Sequence, residues 1–120
     1  MIHAPGFLKL VEDLRPSVRE VSVEELRARP AAVHVIDVRE HHEWQAGHVP
    51  GARHLSKGII ERDIEAAIPD PDAELWLYCG GGFRSVLAAD ALQRMGYHNV
   101  ASVVGGYKAW VSAGLPTEKP

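Results

Sequence analysis

The sequence predicts an α/β fold in which helices cover both faces of a mainly parallel sheet. Two short apolar runs, residues 33–38 (VHVIDV) and 74–78 (ELWLY), have the length and the β-branched or aromatic content of buried strands. Segments with helical patterning separate these runs from each other and from the next strand candidate. Strands that alternate with helices form βαβ units, and the strands of such units run parallel and are buried on both faces.

The remaining elements carry local signals of their own. Ser56 is the expected N-cap of the long central helix, and Gly96 has the position of a C′ residue after the next one. Gly105 and Gly106 turn the last strand into a short helix that carries Trp110. The predicted strands are residues 20–22, 33–38, 52–55, 74–78 and 100–104. The predicted helices before the last one are residues 23–29, 40–45, 56–68 and 85–95.

Residues 1–20 form an N-terminal extension ahead of the main domain, residues 21–120. Apolar side chains recur there at spacings of three and four, which predicts an amphipathic helix that stops near Pro16. We expect this helix to pack on the domain or on a second subunit, so monomer and homodimer both stay open. The apolar side chains concerned are Phe7, Leu10, Val11, Leu14 and Val18.

Composition limits the function classes. The chain has 120 residues, the length of one ordinary domain, and its 46% hydrophobic and 24% charged residues are typical of soluble globular proteins. The net charge of −3 and the scattered Lys and Arg residues argue against nucleic-acid binding. No apolar stretch approaches the 18 or so residues that span a bilayer, so we expect no membrane partner. The start lacks the pattern of a secretory signal, which favours the cytoplasm.

Cys79 is the only cysteine, so the chain forms no internal disulfide and no zinc site made of several cysteines. Four histidines lie close in sequence: His41, His42, His48 and His54. A metal site needs three or four convergent ligands, and a hydrogen-bonding role in a turn is the favoured interpretation of His48. We therefore expect neither a metal nor a cofactor.

One loop combines the features of a reactive site. A predicted strand ends in a cysteine, three glycines follow, and a helix begins beside an arginine. Glycines allow positive φ and let amide N–H groups converge, while a helix N-terminus adds donors and partial positive charge. Such a place favours the thiolate form of a cysteine and holds an anionic sulfur, and the arginine offers a fork of donors to an oxyanion. A buried structural cysteine beside a flexible turn is the alternative, and the conjunction of features favours function. The loop is Cys79-Gly80-Gly81-Gly82-Phe83-Arg84-Ser85.

Three ordered segments make the family resemblance specific. The first is Asp37-Val38-Arg39-Glu40 with Glu43 and Gly47-His48-Val49-Pro50-Gly51-Ala52, the second is the loop from Cys79 to Arg84, and the third is Gly105-Gly106 with Trp110. Together they resemble the signatures of the rhodanese family of sulfurtransferases, over residues 21–116. The resemblance implies a three-layer α/β domain with a central parallel sheet of about five strands.

The resemblance also implies a two-step reaction on Cys79. The Cys79 thiolate takes a sulfane sulfur from thiosulfate or a related donor, and the resulting persulfide gives it to cyanide, a thiol or a protein acceptor. Residues 80–85 would bind the substrate and stabilise the persulfide through their backbone N–H groups. Asp37 and Arg39 would form a buried polar network, and with His48 they would support the site. Trp76 and Trp110 are expected to pack, and so is Trp44, with lining of the pocket mouth as its alternative role. Glu43 is expected to cap or pair locally.

Other activities on the same fold are weaker alternatives. Four residues separate Cys79 from Arg84, and relatives that hydrolyse phosphate esters have one more, which adds up to about 3.5 Å of chain. The shorter loop favours sulfur over phosphate. Arsenate reduction would need an external thiol because no second cysteine exists. A persulfide carrier stays open because Gly81, Gly82 and Phe83 add no cation beside Arg84, and a non-catalytic interaction module conflicts with the intact Cys79 and Arg84.

Overall fold

Strands and helices alternate along the chain in the computed structural model, which describes residues 3–120. The strands are β1 (Arg19–Val21), β2 (His34–Asp37), β3 (Arg53–His54), β4 (Glu74–Tyr78) and β5 (Asn99–Val103). The helices are α1 (Pro5–Leu14), α2 (Val23–Arg27), α3 (His41–Ala46), α4 (Ile60–Ala67), α5 (Arg84–Arg94) and α6 (Gly106–Ser112). A 3-10 turn, Arg15–Ser17, follows α1.

The five strands form one sheet in the order β1-β5-β4-β2-β3, and every neighbouring pair is parallel. This confirms the predicted α/β fold and its parallel sheet. β4 lies in the centre, so the loop that follows it starts from the middle of the sheet's carboxyl edge. In open α/β sheets that edge is where ligands bind.

The sheet buries apolar side chains on both faces. On the face covered by α1, α4 and α5, the core includes Ile36 and Leu77. On the opposite face, covered by α2 and α6, it includes Val35 and Trp76. Alternate residues of the same strand therefore pack on opposite faces of the sheet. Because both faces are buried, the sequence of each strand is continuously apolar. Trp76 and Trp110 are each 4% exposed, so the packing role expected for both is confirmed.

Helix α1 packs on the sheet side that carries α5, within the same chain. Val11 is fully buried, and Phe7 and Leu14 pack against the core beside it. Leu10 faces outward and is 51% exposed. Among the helices of residues 3–120, none combines the length and the apolar character needed to cross a bilayer.

Two predicted helices differ from the structure by more than one residue at one end. Ser56 is not the N-cap of α4, because Ile59 has that position and the Ser56 carbonyl closes a separate turn through Gly58, where it accepts from the Ile59 and Ile60 N–H groups. Helix α4 then begins at Ile60 and is four residues shorter at its start than predicted. Helix α2 ends at Arg27 rather than at residue 29, although Ser22 gives it a complete capping box with Glu25.

Candidate active site

The strand ends of β2, β4 and β5 meet at one cleft. Cys79 follows β4 directly, the loop of residues 80–83 leads from it into α5, and the chain after β5 passes underneath. Helix α5 begins at Arg84, one residue before its predicted start. The N-terminus of α5 therefore points toward the cysteine.

The thiol of Cys79 lies inside a cradle of backbone donors. The Gly82 N–H donates to Cys79 Sγ at 3.1 Å and the Ser85 N–H donates to it at 3.4 Å. The side chain is 1% exposed in this state. Donors aimed at one sulfur stabilise negative charge on it, because they are already oriented and need not be reorganised.

Two buried hydroxyls lie behind the sulfur. Ser85 Oγ is 3.5 Å from Cys79 Sγ and 2.7 Å from Ser102 Oγ, and both serines are fully buried. When Cys79 is a thiolate, the Ser102 hydroxyl can donate to Ser85 Oγ and the Ser85 hydroxyl can donate to Cys79 Sγ. Both hydroxyl protons then have an acceptor. Sequence reasoning missed Ser102, although a polar residue inside the apolar strand β5 was the available signal.

Only one of the three loop glycines has a positive φ. Gly82 has φ +91°, and a Cβ there would lie 2.9 Å from the Gly105 nitrogen, so no side chain fits. A Cβ at Gly80 would meet the end of the Arg84 side chain, and one at Gly81 would make ordinary contact with the Phe83 ring. Of the three loop glycines, Gly82 is therefore the one whose backbone conformation requires a glycine.

The start of α6 holds the loop from below. The Tyr107 N–H donates to the Cys79 carbonyl at 2.7 Å, and the Lys108 N–H donates to the Gly80 carbonyl at 3.0 Å. Gly106 contacts the Cys79 carbonyl so closely that a Cβ would collide with it. The glycine pair after β5 thus lets the helix approach the loop, and the helix N–H groups bind two loop carbonyls that would otherwise lack helix or sheet partners.

Arg84 is engaged by a carboxylate at the mouth of the cleft. Its Nη1 donates to Glu43 Oε1 at 2.9 Å and its Nη2 donates to Glu43 Oε2 at 3.1 Å, a bidentate pair. Hydrogen bonding from Arg84 lowers the pKa of Glu43 to about 2 despite partial burial. Glu43 also accepts from the Glu40 N–H, as a cap of α3. The local cap fits the sequence interpretation, whereas the partnership with Arg84, 41 residues away, was missed.

Asp37 and Arg39 form a buried network below the loop. The Arg39 Nη2 donates to Asp37 Oδ2 at 2.8 Å and to the Gly47 carbonyl at 2.6 Å. The Tyr78 hydroxyl donates to Asp37 Oδ2 at 2.7 Å and accepts from the Val49 N–H. Burial and the neighbouring Asp37 carboxylate raise the pKa of Tyr78, so its hydroxyl stays protonated and keeps this donor role at neutral pH. The network ties the end of β2 to the turn before β3.

His48 lies in that turn and away from the thiol cradle. Its ring stacks on Trp44 at 3.5 Å between centroids, its Nδ1 is 3.4 Å from the Trp44 carbonyl and its Nε2 is 3.4 Å from Glu118 Oε1. Its backbone pairs with Glu118 near the C-terminus. Within residues 3–120, no three His, Cys, Asp or Glu side chains converge as metal ligands would.

A family model for the rhodanese-like domain matches residues 22–113. The thiosulfate sulfurtransferase GlpE of Pseudomonas putida is 40% identical over 86 residues, which are 72% of this chain and 76% of that protein. The "Putative sulfur carrier protein YrkF" of Bacillus subtilis is 30% identical over 97 residues, which are 78% of this chain. The chain spans only about half of YrkF, 51% of its length.

A solved structure is similar over nearly the whole chain. It is a Rhodopseudomonas palustris protein of unknown function, named as a possible tyrosine phosphatase, with a TM-score of 0.82 and 29% identity. The match covers 98% of both chains, so it includes the segment around α1 that the family model leaves out.

Proposed function

The chain belongs to the rhodanese-like domain family, whose members include sulfurtransferases and sulfur carriers, and we propose that it transfers a sulfane sulfur through a persulfide on Cys79. The observation that carries this proposal is the cradle in which the Gly82 and Ser85 N–H groups donate to Cys79 Sγ. Two oriented N–H donors would stabilise a negative charge on a sulfur atom held there.

In the first step, the Cys79 thiolate attacks the outer sulfur of thiosulfate. The sulfur–sulfur bond of the donor breaks, sulfite leaves with the electron pair, and a Cys79 persulfide anion remains. The backbone N–H groups of residues 80–85 would hold the added sulfur, and the dipole of α5 would offset its charge. Because the donors are part of the folded loop, they are oriented before the reaction starts.

In the second step, a thiophilic acceptor attacks the terminal sulfur of the persulfide. With cyanide, a carbon–sulfur bond forms, the persulfide sulfur–sulfur bond breaks, and the electron pair returns to Cys79 Sγ. Thiocyanate leaves and the thiolate is regenerated. No second cysteine takes part, because Cys79 is the only one in the chain.

Arg84 is the proposed binder of an oxyanion donor, but its contact with Glu43 weakens that role. A dianion such as thiosulfate has to compete with a bidentate carboxylate for the guanidinium. Turnover with thiosulfate is therefore expected to be slower than a free arginine would allow.

A persulfide carrier is the second candidate function. The neutralised Arg84 favours it, since a carrier receives sulfur from a protein and needs little affinity for small anions. One relative also bears the name "Putative sulfur carrier protein YrkF". The two functions are distinguished by comparing turnover with thiosulfate as the donor and turnover with a protein persulfide as the donor. A carrier should be slow with thiosulfate.

Phosphate-ester hydrolysis is the third activity on this fold. The cradle closes on one atom, with Sγ 3.1 Å from the Gly82 nitrogen and the side chain 1% exposed. A phosphoryl group carries three outer oxygens and needs a wider loop. We expect no turnover of p-nitrophenyl phosphate by this protein.

The test of the proposal is the mass of the intact protein after incubation with thiosulfate without reductant. We expect a gain of one sulfur atom that cyanide removes as thiocyanate. The matched control is Cys79→Ser, which keeps the size of the side chain and should neither gain sulfur nor lose its fold. A serine variant with wild-type turnover would falsify the assignment of Cys79.

Arg84→Ala tests the donor site separately. The expected result is a raised KM for thiosulfate, or a lowered kcat, with sulfur still loaded from a protein persulfide. The measurement is initial-rate kinetics over a range of thiosulfate concentrations. An unchanged profile would remove Arg84 from the site.

A further inference from the structure

The N-terminal segment contributes directly to the cleft. Three of its side chains lie against the ring of Phe83, the residue just before α5. The His3 ring is 4.4 Å from it and the Phe7 ring 6.2 Å, between centroids. The Arg15 guanidinium lies 5.6 Å from the centroid of the same ring. Phe83 therefore lies near both the start of α1 and the 3-10 turn that follows it.

These contacts place an aromatic wall in the cleft that Cys79 also lines. His3, Phe7 and Phe83 line the same cleft as Cys79. The family match begins at residue 22, so His3 and Phe7 lie outside the part of the chain that the family model matches. Phe83 is only partly buried and Phe7 likewise, so both rings keep surface available to a bound molecule.

The charges around the cleft largely offset one another. Arg84 is paired with Glu43, and Arg39 is paired with Asp37 below the surface. At the rim, the exposed side chains of Glu40 and Lys108 carry opposite charges. Because these side-chain charges largely cancel, the uncharged part of a bound molecule can gain affinity through apolar contact with the aromatic rings of the cleft.

We propose that His3, Phe7 and Phe83 form a recognition wall for the apolar body of a small thiol that accepts sulfur from Cys79. This inference rests on the proposed function, because it names the class of acceptor used in the second step. The thiol would lay an aromatic or aliphatic group against the rings of Phe7 and Phe83 while its sulfur reaches the persulfide.

The transfer step is balanced without any further reactant. The acceptor thiolate RS⁻ attacks the outer sulfur of the Cys79 persulfide anion and forms a new sulfur–sulfur bond. The persulfide bond breaks and its electron pair stays on Cys79 Sγ. The products are RSS⁻ and the Cys79 thiolate, with the same total charge as the reactants.

The test compares two acceptors in the full-length protein, benzyl mercaptan and cyanide, with thiosulfate as the donor. For Phe7→Ala, we expect kcat/KM for benzyl mercaptan to fall about tenfold further than kcat/KM for cyanide, since cyanide has no body to contact the ring. Leu10→Ala is the matched control. It removes an apolar side chain from the same helix, but Leu10 is 51% exposed and is not a residue of the cleft. Both acceptors should keep wild-type rates in that variant.

Phe7 also packs on the core, so a second variant guards against a folding effect. Phe7→Leu keeps apolar contact with the core but loses the aromatic face, and it should show a smaller selective loss with benzyl mercaptan. The proposed recognition wall would be wrong if Phe7→Ala and Phe7→Leu lowered kcat/KM equally for the two acceptors. It would also be wrong if kcat/KM for benzyl mercaptan did not change. If the wild-type protein transferred no sulfur to cyanide at all, the proposed function itself would fail.

Discussion

Two arginine–carboxylate pairs flank the Cys79 loop, and they differ in burial. In the Arg39–Asp37 pair, the side chains are 5% and 0% exposed, and Tyr78 and the Gly47 carbonyl complete the hydrogen bonding. In the Arg84–Glu43 pair, they are 31% and 26% exposed, at the mouth of the cleft. The same chemical pairing thus occurs once under the site and once at its entrance.

Under the proposed function, the difference in burial suits the Arg39–Asp37 pair to supporting the loop and the Arg84–Glu43 pair to binding the substrate. A buried pair is costly to desolvate, and losing one partner leaves an uncompensated charge inside the protein. A partly exposed pair is partly screened by water, contributes less to stability than a buried one, and its carboxylate can be exchanged for another anion. We infer that Arg39 holds its position throughout the reaction, whereas Arg84 can release Glu43 when a negatively charged substrate arrives.

Asp37→Asn should have the largest effect. It removes the charge that offsets buried Arg39, and we expect the free energy of unfolding to fall by about 3–5 kcal/mol. Urea denaturation followed by circular dichroism measures this. Glu43→Gln is the matched control at the exposed pair and should cost less than about 1 kcal/mol. Similar losses of unfolding free energy in the two variants would contradict the conclusion that the two ion pairs differ in their contribution to stability.

Tyr78→Phe should have the next largest effect. It deletes the donor to Asp37 and the acceptor of the Val49 N–H, so we expect a loss of about 1–3 kcal/mol in the same urea experiment. Sulfur loading of Cys79 should persist, because neighbouring strand residues point to opposite faces of the sheet. A stable variant that no longer loads sulfur would show that the network acts on the chemistry rather than on the scaffold.

Glu43→Gln sharpens the comparison at the level of activity. The substitution keeps an oxygen for the Glu40 N–H but removes the charge that competes for Arg84. We expect kcat/KM for thiosulfate to rise about two- to fivefold, the range that corresponds to an exposed ion pair. Steady-state kinetics at constant ionic strength measures it. A fall in kcat/KM would mean that Glu43 positions Arg84 for the substrate instead of competing with it.

Acid should reveal the smallest effect. Hydrogen bonding from Arg84 lowers the pKa of Glu43 from its ordinary 4.5 to about 2 in the folded protein. A lowered folded-state pKa contributes stability that is complete above pH 4.5 and disappears as the pH falls toward 2. The stability advantage of the wild type over Glu43→Gln should therefore shrink across that window. Urea midpoints at several pH values measure it, and a constant difference would argue against an ion pair in solution.

Much of the fold was predictable because its signals are local. The apolar run of residues 74–78 has the same bounds as β4, and α5 begins within one residue of its predicted start. Side-chain periodicity and helix-end residues act over a few positions, so they can be read without knowing the fold. The errors at the start of α4 and the end of α2 lie at helix ends, where backbone carbonyls compete with side chains as caps.

The sequence by itself determined the α/β class and the family resemblance that the comparisons confirm, and it singled out Cys79 as the candidate nucleophile. Only the tertiary structure placed Glu43 on Arg84, Ser102 on Ser85 and Phe7 beside Phe83. The partners in these contacts lie between 17 and 76 residues apart, on elements that meet only through the strand order β1-β5-β4-β2-β3 and the packing of α1. Such contacts depend on which surfaces the whole chain brings together, and no local pattern records that choice.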